Sequence, residues 1–406
     1  MAQKFLIKSL MKNSILLVIT GSIAATKAPK LAELLLKQNI ACDVILTKSA
    51  QEFVKEADFK NLGIEHVFSE LFDAEMEGKI GHIELSRKND LILVYPATAN
   101  FMAKAAHGRA DDLASTMLLA SNKQIFMAPA MNVEMWENEI TQTNLAELEK
   151  RALQFIYPEK GMLACGEEGE GRVKEPEDVV ELMVSFFALK AKLAGKKILL
   201  TVGGTRENID PVRFIGNSSS GKQGVALAKK FAEFGAEVTM VKGCTDCRIP
   251  KNFKIIEVVS ADEMYKSVMT EIAVQEFDLG IFTAAVADFK PVVNSADKIK
   301  KEKLQTLEIK LEKNPDILAE TGKSEYRPKI LVGFAAETNN HEANALRKLD
   351  SKNCDVIALN DVSGGKVFGE SKNQLTFYSK NHEPRTVSGT KEQAAMGLVK
   401  FLVSYL

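Results

Sequence analysis

The chain has 406 residues, of which 46% are hydrophobic and 26% charged, and its formal net charge is −1. This length predicts more than one domain, and the balanced charge gives no sign of a nucleic-acid or membrane partner. No apolar run reaches the roughly 18 residues of a membrane-spanning helix, and the apolar run near the N-terminus leads into a glycine turn rather than a cleavage site. Five cysteines, an odd number, favour free thiols in a cytoplasmic protein.

Apolar runs typical of buried strands alternate with helical patterns in the first half of the chain. The pattern predicts strands at 14–20, 41–47, 90–98 and 123–131, and helices over 23–38 and 175–195. Continuous apolar strands that alternate with helices indicate a parallel sheet with helices on both faces. A doubly wound α/β domain is therefore expected here.

The second half repeats this organisation without repeating the motifs. Here the pattern predicts a helix over 224–235 and strands at 195–204, 236–243, 277–288, 329–338 and 354–361. Because the helix over 175–195 is expected to run into a linker, we place the domain boundary near residue 190. The sequence thus predicts two mainly parallel α/β domains, residues 1–190 and 191–406.

Ligands of open α/β sheets bind outside the carboxyl ends of the strands, so the turns after the strands are where chemistry is expected. Small and amide-bearing residues in such turns let a ligand approach backbone N–H groups. The seven turns of this kind are TGSIAA (20–25), PATAN (96–100), PAMN (129–132), VGGTREN (202–208), TAAVAD (283–288), GFAAET (333–338) and LNDV (359–362).

The segment GNSSSGKQG (216–224) has the G-x-x-x-x-G-K spacing of a nucleoside-triphosphate P-loop. A P-loop needs Ser or Thr after the lysine to hold Mg²⁺, and this chain has Gln223 there. The nearest predicted strand also ends at residue 204, twelve residues before Gly216, whereas a P-loop leaves its strand directly. We therefore interpret the segment as a different turn whose amides and hydroxyls can bind phosphate at a helix N-terminus.

Several motifs of the first half occur together in one order. They are GSIAA, HIEL (82–85), PATAN, GRADDL (108–113), PAMNVEM (129–135) and ACGEEGEGR (164–172). With these motifs, residues 13–180 resemble the flavin-dependent cysteine decarboxylases, in particular the phosphopantothenoylcysteine decarboxylases. The resemblance implies a flavodoxin-like fold that binds FMN.

The same resemblance implies a set of site residues. His82 is the implied catalytic histidine, Asn132 is implied to bind the substrate carboxylate, and Cys165 is the implied proton donor. Taken singly, each has a plainer interpretation: a helix cap for His82, a turn for Asn132 and a buried filler for Cys165. The implied FMN-binding residues are Gly21, Ser22, Ile23, Thr47, Pro96, Ala97, Thr98 and Ala99.

The implied chemistry explains these residue types. A carboxylate β to a saturated thiol carbon has no electron sink, so CO₂ cannot leave directly. Hydride transfer from the thiolate carbon to the flavin gives a thioaldehyde, whose C=S group accepts the electrons released with CO₂. Hydride from the reduced flavin and a proton then reduce the enethiol. A thiol such as Cys165, with an ordinary pKa of about 8.5, is protonated at neutral pH and can supply that proton. The glycines of 164–172 indicate a flap over the substrate.

Residues 195–403 resemble the phosphopantothenate–cysteine ligases, with an implied Rossmann-like fold. The motifs that carry this resemblance are the 201–228 segment, AAVADFKP (284–291), KIKK (298–301), KNPDIL (313–318), GFAAETNN (333–340) and ND (360–361). The implied reaction activates the carboxylate of 4′-phosphopantothenate with CTP, giving an acyl-cytidylate that the cysteine amine attacks.

In this implied reaction Asn217 hydrogen-bonds the activated acyl group, and Lys298 neutralises charge at the α-phosphate. Mg²⁺ is expected with the nucleotide, without protein ligands that the sequence identifies. The implied CTP-binding residues are Phe282, Thr283, Ala284, Asp288, Lys298, Pro315, Asp316, Ile317, Leu318, Phe334, Lys348 and Lys352.

Three questions remain open at this level. Cys244 and Cys247 form a C-x-x-C pair, but no second pair nearby completes a zinc site, so we interpret them as a structural loop. Two other functions compete: an inactive flavoprotein that acts as a regulatory subunit, and a P-loop kinase fused to a flavodoxin-like electron carrier. The family resemblance further implies a homo-oligomer, with a trimeric decarboxylase and a dimeric ligase acting on small-molecule substrates.

Overall fold

The computed structural model divides the chain into two compact units, Met1–Phe187 and Ala188–Leu406. Each unit is an α/β fold, which confirms the predicted fold class. The residues that the structure describes are 13–69, 85, 87–151, 153–162, 166–250, 253–300, 306–337, 340–361 and 372–406.

The first unit contains a six-stranded parallel sheet with the order β3-β2-β1-β4-β5-β6. Its central strands have no exposed side chain over Ile15–Ile19 or Leu91–Ala97, as expected of strands covered on both faces. The described strands are β1 (Asn13–Ile19), β2 (Ile40–Leu46), β3 (Val67–Phe68), β4 (Leu91–Ala97), β5 (Gln124–Pro129) and β6 (Gln154–Phe155), followed by the hairpin strands β7 (Glu159–Met162) and β8 (Glu168–Arg172).

The helix predicted over 23–38 is divided in two. A 3₁₀ turn covers Ile23–Lys27, and the α-helix α1 begins only at Ala28. Pro29 explains the division, because proline has no N–H and fits only the first turn of an α-helix. The other described helices of this unit are α2 (Glu56–Lys60), α3 (Ala99–His107), α4 (Leu113–Ala120), α5 (Val133–Glu137), α6 (Glu139–Lys150) and α7 (Pro176–Leu193), with α1 ending at Lys37 and a 3₁₀ turn at Ala50–Glu52.

The second unit contains an eight-stranded sheet with the order β13-β12-β9-β14-β17-β18-β19-β20. Neighbouring strands are parallel except β18 with β19 and β19 with β20, which are antiparallel. The strands are β9 (Lys197–Val202), β10 (Glu207–Asn208), β11 (Phe214–Ile215), β12 (Glu237–Lys242), β13 (Lys254–Glu257), β14 (Leu279–Phe282), β15 (Phe289–Pro291), β16 (Leu311–Lys313), β17 (Ile330–Glu337), β18 (Val356–Asp361), β19 (Lys372–Ser379) and β20 (Arg385–Thr390).

Helices of the second unit cover the apolar faces of this sheet, whose core includes Leu199, Val241 and Leu331. Two of these helices begin with a capping box, a pattern that is visible in the sequence. The boxes are formed by Ser260 with Glu263 and by Thr390 with Gln393. The described helices are α8 (Lys222–Glu233), α9 (Ala261–Val274), α10 (Ile317–Lys323), α11 (His341–Ser351) and α12 (Lys391–Leu402), with a 3₁₀ turn at Val403–Tyr405.

The boundary placed near residue 190 falls within α7, which continues to Leu193. The structure corrects one detail of the predicted organisation. The P-loop argument assumed no strand close to Gly216, yet β11 ends at Ile215. This strand belongs to a two-stranded hairpin with β10 and not to the parallel sheet, so the context still differs from that of a P-loop. None of the described helices is long and apolar enough to cross a membrane.

Candidate functional sites

The order of the first sheet places three of the predicted turns side by side. β1 lies between β2 and β4, so the turns that begin at Gly21, Thr47 and Thr98 follow three neighbouring strands at one edge. Chain order reverses between β1 and β4, and such a switch point is where doubly wound sheets bind ligands. The predicted flavin residues therefore lie at one edge of the sheet, beside its switch point.

A buried hydroxyl that the sequence did not single out joins two of these turns. Thr20, 2% exposed, donates from Oγ1 to the carbonyl oxygen of Pro96 at 2.8 Å. The same Oγ1 accepts the N–H of Thr98 at 3.0 Å. Thr98 in turn caps α3, of which Ala99 is the first residue. Pro96 and Ala97 are buried in β4, so only their backbone is positioned to serve a ligand.

The neighbouring turns offer hydroxyl groups and helix-end amides. Ser22 caps the 3₁₀ turn by accepting the N–H of Ala24 at 3.3 Å, and Ile23 beside it is 55% exposed. The Thr47 and Ser49 hydroxyls lie 3.3 Å apart. Gly21 is required here because a Cβ at this position would lie 2.4 Å from Ser49 Oγ. Several hydroxyls and one set of amides, without G-x-G-x-x-G, suit a single phosphate and hence a mononucleotide.

A cavity of about 620 Å³ opens beside this edge. Of the predicted flavin residues only Thr47 lines it, together with Lys48, Gln51 and the Asp111–Asp112 pair. Lys104 donates to Asp111 at 2.7 Å and to Asp112 at 2.8 Å, which raises the pKa of the lysine above its usual value. A depression of about 380 Å³ between α3 and α6 contains none of the predicted site residues.

Asn132 begins α5, the short helix after β5. Its Oδ1 accepts the N–H of Met135 at 2.9 Å, and within the described ranges its Nδ2 group has no partner. The hairpin of β7 and β8 packs against this turn: the Met131 N–H donates to the Gly171 carbonyl at 3.1 Å. A Cβ on Gly171 would lie 2.3 Å from Met131 O, so glycine is required for the approach.

Two predicted catalytic residues, His82 and Cys165, lie outside the described residues. Cys165 falls in sequence between β7 and β8. Strand β8, which forms the described part of the predicted flap, is therefore held against the Asn132 turn. The Trp136 indole N–H donates to Glu170 at 3.4 Å in the same contact.

The second sheet also reverses its chain order, between β9 and β14. The turns after these strands are hydrogen-bonded to each other: Ala285 N–H donates to Gly203 O at 2.8 Å, and Thr205 N–H to Ala285 O at 3.2 Å. Thr283 donates from Oγ1 to Thr201 O at 2.6 Å, which fixes the start of the TAAVAD turn. VGGTREN and TAAVAD thus form one backbone platform at the switch point.

The GNSSSG segment lies against this platform. Asn217 donates from Nδ2 to Val286 O at 2.9 Å, and among the described residues its second N–H and its Oδ1 have no side-chain partner. Gly221 begins α8 in the left-handed region, with φ of 71°. Thr245 donates to Ser220 O at 2.6 Å, and the Cys247 thiol donates to the same oxygen at 3.3 Å. The C-x-x-C loop therefore supports this segment.

Lys298 is exposed, and within the described part of the chain it forms no ion pair. The backbone of the next residue, Ile299, forms two hydrogen bonds. Ile299 N–H donates to Asp210 Oδ2 at 3.2 Å, and Arg213 donates from Nη1 to Ile299 O at 3.2 Å. Asp210, 1% exposed, also pairs with Arg213 at 2.6 Å.

The remaining predicted nucleotide residues lie in different environments. Asp288 is hydrogen-bonded to the KNPDIL segment: its backbone carbonyl accepts the N–H of Asn314 at 2.9 Å. Phe282 and Ile317 belong to the hydrophobic core, so only their backbone can face a nucleotide. Asp316 caps α10 and forms an ion pair with Lys352, two predicted ligands that neutralise each other. Others lie on nearby elements: Ala284 after β14, Pro315 and Leu318 beside Asp316, Phe334 in β17 and Lys348 in α11.

Thr20, Asp210 and Thr245 join these turns by hydrogen bonds, and sequence reasoning did not single them out. One of them had a visible signal, since Asp-Pro in NIDPVR is a turn-forming pair. The other two are single hydroxyls whose partners lie 76 and 25 residues away, which no local pattern indicates.

Comparison with known proteins identifies the family. The Flavoprotein family model matches residues 7–188, and the model for the DNA/pantothenate metabolism flavoprotein C-terminal domain matches residues 193–405. The coenzyme A biosynthesis bifunctional protein CoaBC of Haemophilus influenzae is 42% identical over 385 residues, which cover 95% of this chain and 96% of that protein. The chain belongs to the family of bifunctional coenzyme A biosynthesis proteins.

The chain is also similar to other proteins of this family. The Bacillus subtilis CoaBC protein is 40% identical over 378 residues, covering 92% of each chain. The solved C-terminal domain of a CoaBC protein is 37% identical, covers 53% of this chain and 97% of that one, and has a TM-score of 0.45. As a CoaBC-family protein, the chain is a bifunctional enzyme with a flavoprotein decarboxylase unit and a ligase unit, acting in two steps of coenzyme A biosynthesis. Both resemblances inferred from the sequence are confirmed.

Proposed function

We propose that the second unit joins cysteine to 4′-phosphopantothenate at the expense of CTP, and that the first unit decarboxylates the product to 4′-phosphopantetheine with FMN. The observation that supports this proposal is that two predicted turns meet at the switch point of each sheet: TGSIAA with PATAN in the first unit, and VGGTREN with TAAVAD in the second. Doubly wound sheets bind ligands at such switch points, so the two units provide separate sites for two different reactions.

In the ligase unit, activation and acyl transfer fall to different residues. Lys298, an exposed cation, neutralises charge that develops at the α-phosphate as the substrate carboxylate attacks CTP. Asn217, held by Val286, keeps one N–H for the acyl carbonyl when the cysteine amine attacks. Mg²⁺ accompanies the triphosphate. The Ser/Gly turn at the start of α8 offers amides to a phosphate group.

In the decarboxylase unit, FMN supplies the two-electron oxidation and reduction when it is bound. The crevice between the turns after β1, β2 and β4 holds the cofactor through Ser22, Thr47 and Thr98. Asn132 presents Nδ2 to the substrate carboxylate, since its Oδ1 is committed to Met135 N–H. His82 and Cys165 take the roles of catalytic histidine and proton donor, and the enzyme acts as a cytoplasmic homo-oligomer.

The proposal is tested with purified protein, 4′-phosphopantothenate, cysteine, CTP and Mg²⁺. Mass spectrometry should detect 4′-phosphopantothenoylcysteine and then 4′-phosphopantetheine, with CMP and pyrophosphate. The purified protein should be yellow and release FMN on denaturation. Absence of ligated product with both CTP and ATP contradicts the ligase proposal, and a colourless protein that cannot take up FMN contradicts the decarboxylase proposal.

A pair of variants separates activation from acyl transfer. Lys298→Gln removes an electrostatic contact from the activation step, so pyrophosphate release should slow by about 10²–10³. Asn217→Asp places a carboxylate beside the acyl carbonyl, which disfavours the anionic tetrahedral state while activation continues. It should therefore accumulate acyl-cytidylate, detected by mass. Lys222→Ala is the comparison. If Lys222→Ala abolishes nucleotide turnover while Lys298→Gln has no effect, the GNSSSGKQG segment is a P-loop.

A further inference from the structure

Asp210 is a buried carboxylate with an unusual number of donors. Its Oδ1 accepts the N–H groups of Val212 and Arg213, both at 2.8 Å. Its Oδ2 accepts Arg213 Nη1 at 2.6 Å and the Ile299 N–H at 3.2 Å. Although burial raises the pKa of this carboxyl, the N–H donors from Val212, Arg213 and Ile299 outweigh it and hold the pKa below its usual value. These donors therefore favour the ionised form of the carboxylate.

These bonds join two loops that are distant in sequence. Arg213 donates to Ile299 O at 3.2 Å, so Asp210 and Arg213 together hold both backbone polar groups of Ile299. A further bond, Ser295 N–H to Ile209 O at 3.0 Å, continues the contact. One loop leads through β11 into Asn217, and the other carries Lys298 next to Ile299. We call these contacts of Asp210 and Arg213 with Ile299 the Asp210 clamp. The clamp fixes the backbone next to Lys298 against the loop that leads to Asn217.

We propose that Asp210 is a positioning residue for ligation: its carboxylate holds the Lys298 segment against the loop that bears Asn217. The inference rests on the proposed role of Lys298. An exposed lysine has many rotamers, and fixing the adjacent backbone reduces the freedom that must be lost before its ammonium group meets the α-phosphate. Asp210 itself, being buried, has no access to substrate.

The test uses Asp210→Asn in the full-length enzyme. The amide oxygen can still accept the N–H groups of Val212 and Arg213, but an NH₂ group in place of Oδ2 cannot accept from Arg213 Nη1 or from the Ile299 N–H. A misplaced reacting group costs up to about 10²-fold in rate, so we expect a loss of about 10- to 100-fold in kcat for pyrophosphate release. The KM for CTP should change less than kcat. Decarboxylation of supplied 4′-phosphopantothenoylcysteine reports on the other unit of the same molecule and should be unchanged.

Asp355 provides a control with the same kinds of partner but fewer donors. It accepts one backbone N–H, from Leu331 at 2.7 Å, and one arginine, Arg327 at 2.7 Å, which in turn donates to the carbonyl of Asn353. This clamp lies near the start of β17, at the edge of the sheet opposite to the switch-point turns. Asp355→Asn should lower the unfolding temperature and leave kcat for ligation within about twofold of wild type.

The double variant Asp210→Asn/Lys298→Gln distinguishes positioning from general weakening. If Asp210 acts through Lys298, the double variant ligates as fast as Lys298→Gln alone, within about twofold. If the rate losses of the two single variants multiply in the double variant, the inference is overturned while the proposed function stands. A wild-type rate in Asp210→Asn has the same consequence. A wild-type rate in Lys298→Gln overturns the proposed role of Lys298 and the inference with it. Should Asp210→Asn not fold, Asp210→Glu keeps the charge and displaces Ile299, and the same loss of kcat is expected.

Discussion

Asn132 shows how one side chain can serve structure and chemistry at once. Its Oδ1 accepts the Met135 N–H as the cap of α5, and the cap does not use its Nδ2 group. A carboxylate needs a donor, and Nδ2 is the atom that the cap leaves for it. The plain interpretation as a turn and the functional interpretation are therefore compatible, because they use different atoms of the same amide.

Two substitutions separate these roles. Asn132→Asp keeps an oxygen for the cap but replaces the donor by a negative charge, so decarboxylation should fall by more than about 10²-fold while the unfolding temperature stays close to wild type. Asn132→Ala should lose the cap as well, at a cost of about 1 kcal/mol in the free energy of unfolding. Both quantities are measured on purified protein that retains FMN.

The next helix supplies the control for Asn132. Asn138 caps α6 by accepting the Ile140 N–H at 3.0 Å, in the same manner. Asn138→Asp should be neutral, and Asn138→Ala should cost a similar stability without loss of decarboxylation. Equal losses of activity in the Asn132 and Asn138 alanine variants would assign Asn132 a structural role alone.

The start of α8 depends on a close fit between two loops. Gly221 adopts φ of 71°, and a Cβ there would lie 2.6 Å from Thr245 Oγ1. Thr245 cannot retreat freely, since its hydroxyl donates to Ser220 O at 2.6 Å. A side chain at position 221 therefore displaces the whole Ser/Gly turn.

Gly221→Ala should abolish most ligation and leave decarboxylation intact. Gly195 gives a matched comparison, because its φ of 72° is nearly identical and a Cβ added there would meet no atom within 4 Å. Both variants should lose about 1–2 kcal/mol in unfolding free energy from the left-handed backbone alone. Only Gly221→Ala should slow pyrophosphate release. Equal ligase rates in the two variants would show that the fit to Thr245 has no role in the reaction.

Elements with continuous local signals were predictable, and those set by distant partners were not. The buried runs of β1 and β4 and the position of the turns after them followed from apolar patterning. The antiparallel pair β19 and β20 was missed, since the exposed and half-buried residues of β20 form no apolar run. The Asp210 clamp was missed because its two loops lie 89 residues apart, and only the tertiary fold brings Ile299 to this carboxylate.

The chain joins two α/β units, a flavoprotein decarboxylase unit and a ligase unit, and we propose that each reaction takes place at the switch point of its own sheet. In both units, carboxylates with ionic or amide partners hold the ends of elements together. Glu175 pairs with Lys27 at 2.8 Å in the first unit. Asp278 in the second unit accepts Lys197 N–H at 3.0 Å, Lys196 at 3.3 Å and Lys329 at 3.1 Å, at the start of β9 and β14.

This arrangement predicts how stability depends on pH. Burial opposes the ionisation of Asp278, but the Lys197 amide and the two ammonium groups outweigh it, so its pKa lies below the ordinary value. A carboxyl with a depressed folded pKa binds fewer protons in the folded state. Its stabilisation is therefore complete above the unfolded pKa of about 4 and is lost as the pH falls through the lower folded value. We expect the unfolding temperature to decrease when the pH falls below about 4.

Two variants test this dependence. Asp278→Asn should be less stable near neutral pH, and its unfolding temperature should decrease less steeply in acid. Asp350→Asn removes an exposed ion pair with Lys380 and should keep the wild-type pH profile. Parallel acid declines in wild type and Asp278→Asn would show that other carboxylates control the transition.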